Sequence, residues 1–270
     1  MWRRSLSGWL ACWGLGAALA AEPQPQPQPV VLAVDDAYPP YSLVENEQPA
    51  GLYVQLVQRA AQAIPGWQLR LVPMPWARAL MAAEQGQVDG FLPPYRGLGR
   101  EWIASYVGPL HREEVILSCR RQTALGPASQ WPADFVGKRI GVMRGYLLSQ
   151  QLSDAFARQL LTKTEFRNAR DALAALASAQ IDCYANDRIS IESAYRLAKA
   201  DPLWAKRMPE QLEPGLVLAT QTAWVGFSAQ SLAKRPELQE FVRALDMQLA
   251  RLRNSGEAGR LIEGERGKSP

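Results

Sequence analysis

Histidine is nearly absent from this chain. His111 is the single one in 270 residues, and cysteine occurs three times, at positions 12, 119 and 183. No Cys/His cluster has metal-ligand spacing, which argues against a zinc site and against histidine-based nucleophilic catalysis. Neither a metal nor any other cofactor is expected. Long apolar runs are missing too: none reaches the 18 or so residues of a spanning helix. Excess charge is equally scarce. The 30 basic and 26 acidic residues leave a net charge of +4, and two of the basic ones, Arg3 and Arg4, sit in the first twenty residues, which hold no acid. Without those twenty the net charge is +2, so nothing points to a nucleic-acid partner.

What the chain does have is a repeat. Residues 79–91 recur without a gap as residues 172–184. The alanine matches carry little weight, because any two Ala-rich helices share them. The run Gln87-Val88-Asp89-Gly90-Phe91 against Gln180-Ile181-Asp182-Cys183-Tyr184 carries more, since it marks where a helical period gives way to a short apolar strand. One repeat falls short of the three or more units of a solenoid. Two similar α/β lobes, with a cleft between them, are the natural reading.

The first twenty residues read as a secretory signal peptide: Arg3 and Arg4, an apolar stretch over 6–17, and the small-x-small site Ala18-Leu19-Ala20. Residues 21–29, rich in alternating Pro and Gln, form an extended leader. The expected destination is the periplasm. In that compartment Cys119 and Cys183 are able to pair, although their spacing leaves buried free thiols equally open.

Beyond the leader, strand and helix patterns alternate. Strands are expected at 30–34, 69–72, 88–92, 115–119, 139–143, 164–167, 181–185, 216–219 and 224–228. Helices are expected after Gly51 and over 76–85, 147–161, 169–177, 189–200 and 237–254. The units are lobe 1 over 30–114, lobe 2 over 115–213, and a return to lobe 1 over 214–270. Asp89 and Asp182 each begin a strand and suit backbone capping. Trp76, opening a helix, is expected in the core.

Ligands of open α/β sheets bind off the carboxyl ends of the strands. Those ends carry Asp35, Tyr38, Tyr41, Tyr95, Arg96, Arg100, Arg144, Tyr146 and Asp187. Tyrosine supplies flat amphipathic area, and arginine a fork that matches a carboxylate. These nine are the candidate binding residues for a small molecule.

The order Asp35-x-x-Tyr38-x-Pro40-Tyr41, Gly51-Leu52 at a helix start, Trp76, Gly86-x-Val88-Asp89-Gly90, Arg100, the strand from Gly137 to Val142, and Ile181-Asp182 to Asp187 resembles the bacterial family 3 extracytoplasmic solute-binding proteins. These are the polar amino-acid receptors of ABC importers, and the similarity runs over nearly the whole chain beyond the leader. It implies a type II periplasmic-binding-protein fold: two α/β lobes joined by two crossover strands, here near 115–119 and 212–219, closing on a ligand like a hinged trap. It also implies that Tyr38 stacks on the ligand, Arg100 forks onto its α-carboxylate, and Asp187 takes its α-ammonium. The expected partners are a small solute and a membrane permease or sensor, the chain itself being a monomer.

The departures from that family matter as much. Pro93 and Pro94 replace small hydroxylated residues, Gly97 stands in place of a threonine, and Gly145-Tyr146-Leu147 replaces a Gly-Thr turn. Arg96, Arg144 and Arg188 are additional bases. The family also resembles periplasmic cyclohexadienyl dehydratases, but the acid those enzymes carry three residues after the lobe 2 aspartate is Ser190 here. A binding protein rather than an enzyme is expected, with a bulkier, aromatic or more anionic solute as credible as a standard amino acid.

Overall fold

Residues 28–35 form an almost continuous apolar run, and such a run suits a strand covered on both faces. In the structure, a computed structural model describing residues 26–266 apart from Leu98, it is strand β1, Gln28–Asp35. The expected signal peptide, most of the leader and Cys12 lie outside the described residues.

A short hairpin sheet follows, β2 (Ala37–Tyr38), β3 (Ser42–Glu45) and β4 (Gln48–Ala50), turning through Asn46 and Glu47 at φ 49° and 63°. The sequence patterns did not reveal it, because its strands have two to four residues. Gly51 then starts α1, Leu52–Gln62, at φ 107°, and a Cβ there would stand 2.6 Å from the Tyr41 carbonyl oxygen. Only glycine fits that approach. Next come β5 (Trp67–Met74), α2 (Trp76–Glu84) and β6 (Gly90–Leu92), then β7, which runs 17 residues from Ile103 to Cys119. The second lobe adds β8 (Arg139–Met143), α3 (Gln150–Ala157), β9 (Thr162–Phe166), α4 (Ala169–Ala177), β10 (Cys183–Asp187) and α5 (Arg188–Ala200). The chain returns through β11 (Leu216–Ser228) and ends in α6 (Ala229–Lys234), α7 (Leu238–Asn254) and α8 (Glu257–Arg266). No described helix is long and apolar enough to cross a membrane.

The other eight strands make one sheet in the order β5-β1-β6-β11-β7-β10-β8-β9. β1 pairs in parallel with β5 and β6, and β8 with β9 and β10, so each lobe has its own parallel core. Between them β7 and β11 pair antiparallel from Leu117 opposite Leu216 to Ile103 opposite Ser228. These two long strands run through both lobes and are the crossovers. The sequence patterns located only the second-lobe end of β7 and split β11 into its two ends. Arg112, Glu113 and Glu114 interrupt the apolar run of β7, and β11 changes register at Val217/Ala219 and Ala223/Val225, which scrambles its alternation.

The repeat has a structural meaning. In lobe 1 the Asp89 amide donates to the Val31 carbonyl at 2.8 Å, and its carboxylate accepts the Val31 amide at 2.8 Å. In lobe 2 Asp182 makes the same reciprocal pair with Arg139, at 2.8 and 2.9 Å. Each aspartate thus closes the ladder where one parallel strand enters beside another, and each is also held by arginine, Arg235 in lobe 1 and Arg139 with Arg120 in lobe 2. The arginine contacts hold the Asp182 carboxyl well below the usual carboxylate range.

Cys119 and Cys183 face each other across β7 and β10 and form a disulfide, buried and closing a sequence separation of 64. The pairing left open by the sequence is therefore decided. A loop of that length constrains the unfolded chain by about 4 kcal/mol. Thiol titration of residues 21–270 in denaturant is expected to find no free cysteine, and reduction is expected to lower the urea midpoint. Two reactive thiols in the untreated protein would contradict the pairing.

Candidate functional site

Five of the nine candidate residues converge. Asp35, Tyr38, Tyr95, Arg100 and Tyr146 line a cavity where the lobes meet, together with Trp76, Pro93, Leu147 and Leu148. The cavity holds about 20 Å³, room for about one water molecule. The lobes are therefore shut. At the cavity hydrogen bonds cross from one to the other: the Tyr146 hydroxyl donates to Asp35 Oδ2 at 2.5 Å, and Trp76 Nε1 and Arg100 both donate to the Gly145 carbonyl, at 3.2 and 3.0 Å.

The expected helix at Leu147 begins later, at Gln150, because Ser149 caps it by accepting the Leu152 amide. Residues 145–148 thereby stay in a loop, and that loop presents Tyr146 to lobe 1. Trp76, expected in the core, is nearly buried but also forms a wall of the cavity.

Arg100 is 9% exposed and has no acidic partner among the described residues; the Arg100 guanidinium carbon lies 5.5 Å from the Trp76 ring centroid. Burial pushes it down to about 10, so it keeps its charge at neutral pH. Asp35 is 1% exposed, and burial pushes it up to about 7, against the stabilising hydrogen bonds from Tyr146 and the Ala37 amide. A buried guanidinium with no acidic partner among the described residues, in a cavity that it shares with a carboxyl resisting ionisation, is an arrangement that suits an anion.

Behind the cavity lies a cluster that the sequence reading missed. Glu113 of β7, 1% exposed, accepts the hydroxyls of Tyr53 and Tyr95 at 2.5 Å each and also that of Tyr38. Burial, then the neighbouring charge of Asp187, pushes Glu113 up to about 8. A signal was available: on a strand Glu113 shares a face with Val115 and Leu117, both fully buried. An acid in register with core positions announces a buried carboxylate.

The other four candidates stand away from the cavity. Tyr41 is fully buried, stacked on Tyr53 at 4.6 Å, with its hydroxyl on Asp187 at 2.9 Å. Asp187 is fully buried as the N-cap of α5: Oδ1 accepts the Ser190 amide as well as Tyr41, and Oδ2 accepts the Glu114 amide at 3.2 Å. The implied ammonium-binding role thus meets a carboxylate already engaged by the helix start. Burial pushes it up to about 6. Arg96 is exposed and lies over the rings of Tyr106 and Trp224, at 5.1 and 4.7 Å. Arg144 is exposed, 4.0 Å from Glu165, and Arg188 pairs with Glu114 at 2.9 Å. None of the three is among the residues that line the cavity. Ser190, at the position of the dehydratase acid, is fully buried.

Comparison with known proteins supports the resemblance read from the sequence. Residues 30–96 match the bacterial extracellular solute-binding proteins, family 3. Among solved structures, a histidine kinase sensor domain with similarity to periplasmic binding proteins is similar at 19% identity and a TM-score of 0.72, covering 92% of this chain and 100% of that one. An amino acid ABC transporter substrate-binding protein from Streptococcus pneumoniae, bound to L-arginine, is similar at 18% identity and a TM-score of 0.68, covering 88% of this chain and 94% of that one. An ancestral amino acid-binding protein, a precursor of cyclohexadienyl dehydratase, is similar at 16% identity and 0.66, covering 87% and 94%. No curated protein sequence matches. The fold is the two-lobed periplasmic-binding-protein fold, as expected.

Proposed function

We propose that this chain is an extracytoplasmic solute-binding protein that captures a small, carboxylate-bearing, amino-acid-like solute by closing its lobes over it. The observation that carries this reading is Arg100: a buried guanidinium aimed into the interlobe cavity, with a backbone carbonyl where an anion belongs. A carboxylate arriving there replaces one neutral acceptor with a charge-matched fork. Both lobes touch the solute only in the closed form, so binding shifts the population toward closure. A membrane partner then reads that form.

An ABC-type permease is the first partner we propose, in keeping with the transport protein among the similar structures. A sensor partner is the second, favoured by the histidine kinase sensor domain, whose whole length aligns with this chain. We do not assign catalysis, because the position of the dehydratase acid is sealed and Asp35 is clasped by Tyr146. Thermal shifts against amino acids, dicarboxylates, polyamines and aromatic acids test the reading. A carboxylate is expected to raise the melting temperature by mass action. Stabilisation by polyamines alone would contradict it.

A further inference from the structure

Arg100, Asp35 and Asp187 each find a hydrogen-bond partner on the opposite lobe. Arg100 of lobe 1 donates to the Gly145 carbonyl of lobe 2 at 3.0 Å, and Asp35 of lobe 1 accepts the Tyr146 hydroxyl of lobe 2 at 2.5 Å. Asp187 of lobe 2 accepts the Tyr41 hydroxyl of lobe 1 at 2.9 Å. An acceptor for a guanidinium and donors for two carboxyls are what a polar solute would otherwise have to bring into a cleft stripped of water. The protein supplies them itself.

The loop that provides two of these three contacts is firmly seated. The Tyr146 amide donates to the Met143 carbonyl at 3.0 Å, Gln221 Nε2 donates to the Leu148 carbonyl at 2.9 Å, and Ser149 caps α3 directly behind. Gly145, at φ 79°, lies flush on α2: a Cβ there would stand 3.3 Å from Leu80 and 3.4 Å from Trp76. The Tyr146 ring packs edge-on against Tyr38 and Trp76, with centroids 5.6 and 5.8 Å apart, and leaves the cavity room for about one water. A solute of amino-acid size does not fit beside this loop.

We propose that loop 145–148 is a built-in stand-in for the solute, and that the empty protein rests closed on it, with the Tyr146 hydroxyl as the latch on Asp35. The stand-in role rests on the solute-binding reading above; the resting closure does not. Capture then starts from a self-closed form as well as from an open one. The latch parts, the solute takes over Arg100 and Asp35, and the lobes close again over it with the loop displaced. The fraction of protein held by the latch lowers the apparent affinity of the parent chain.

Small-angle X-ray scattering of the protein, stripped of solute by dialysis against urea, refolded and shown bare by native mass spectrometry, tests this. The bare parent is expected to scatter as the closed structure does. Tyr146→Phe, which removes the latch and keeps the ring, is expected to shift the closed-to-open ratio toward the open form by about tenfold, the scale of one buried carboxyl losing its donor. Adding Gly145→Val, whose branched side chain is strained at positive φ and meets Leu80 and Trp76, is expected to open the lobes outright and broaden the distance distribution. Circular dichroism checks that the double variant is folded, and Tyr146→Leu, which removes hydroxyl and ring together, takes its place if it is not. A bare parent that scatters as an open form, or a folded latch-less variant of this pair as compact as the parent, would overturn the inference. Neither result touches the solute-binding reading, which the thermal-shift panel decides.

Discussion

Arg100→Ala is expected to weaken solute binding by about 2 to 5 kcal/mol, the range for truncating one partner of a buried charge pair, or roughly 30- to 5,000-fold. The empty protein is expected to respond the other way. Among the described residues no acid matches its buried Arg100, and burial already disfavours the charge. Removing an uncompensated buried cation relieves that cost, so the melting temperature of the empty variant is expected to hold or rise. A residue serving only as a strut between Trp76 and Gly145 would behave oppositely, lowering stability while leaving the intrinsic affinity of the closed site alone. Arg100→Lys separates charge from shape: a point charge without the planar fork is expected to recover only part of the binding. Calorimetry and thermal melting on the same three proteins decide the matter.

Glu113→Ala is expected to cost stability rather than specificity. Three nearly buried tyrosine hydroxyls, those of Tyr38, Tyr53 and Tyr95, lose their shared acceptor. Each buried donor left unpaired costs about 1–3 kcal/mol, so the total is expected to exceed about 3 kcal/mol. Glu113→Gln keeps one acceptor oxygen, and its cost is expected to be smaller. The pair of variants also exposes a pH signature. The folded protein holds Glu113 up at about 8, Asp35 at about 7 and Asp187 at about 6, all above ordinary carboxylate values. The folded state therefore binds more protons than the unfolded chain between about pH 4.5 and 8, and stability falls as pH rises through that window. Below about pH 4 the sign reverses, because Asp182 is held low by Arg139 and the stability it contributes is lost on protonation. Melting temperature is expected to peak near pH 4 to 5, and Glu113→Gln is expected to flatten the decline toward pH 8.5. A decline of unchanged slope in that variant would remove Glu113 from the explanation.

The two-lobed fold was legible in the chain because the same strand-entry aspartate was written twice. Helix α4 and strand β8 carry clean periods and begin and end where their patterns do. The crossovers were not legible as single strands, since Glu113 and its charged neighbours break β7 and the register shifts break β11. The site divides along similar lines. Tyr38, Tyr95, Arg100 and Asp35 follow from the rule that ligands sit off strand ends. Tyr146 reaches the cavity for a reason the pattern hid: Ser149, and not Leu147, starts the helix. Asp187 shows the limit of carrying a role over by position. An aspartate just before a helix is a good N-cap, and here the cap, with Tyr41, takes up its carboxylate. Glu113 was overlooked because attention to strand ends passes over a charged residue in the middle of a strand.

The claim that the closed cleft holds a carboxylate-bearing solute at Arg100 is tested most directly by native mass spectrometry of the freshly purified protein, beside Arg100→Ala prepared the same way. The account predicts a small-molecule adduct on the parent protein, displaced by the stabilising carboxylate, and a bare Arg100→Ala chain. An adduct retained equally by both proteins would contradict it, because the solute would then be held without the buried guanidinium on which the account rests.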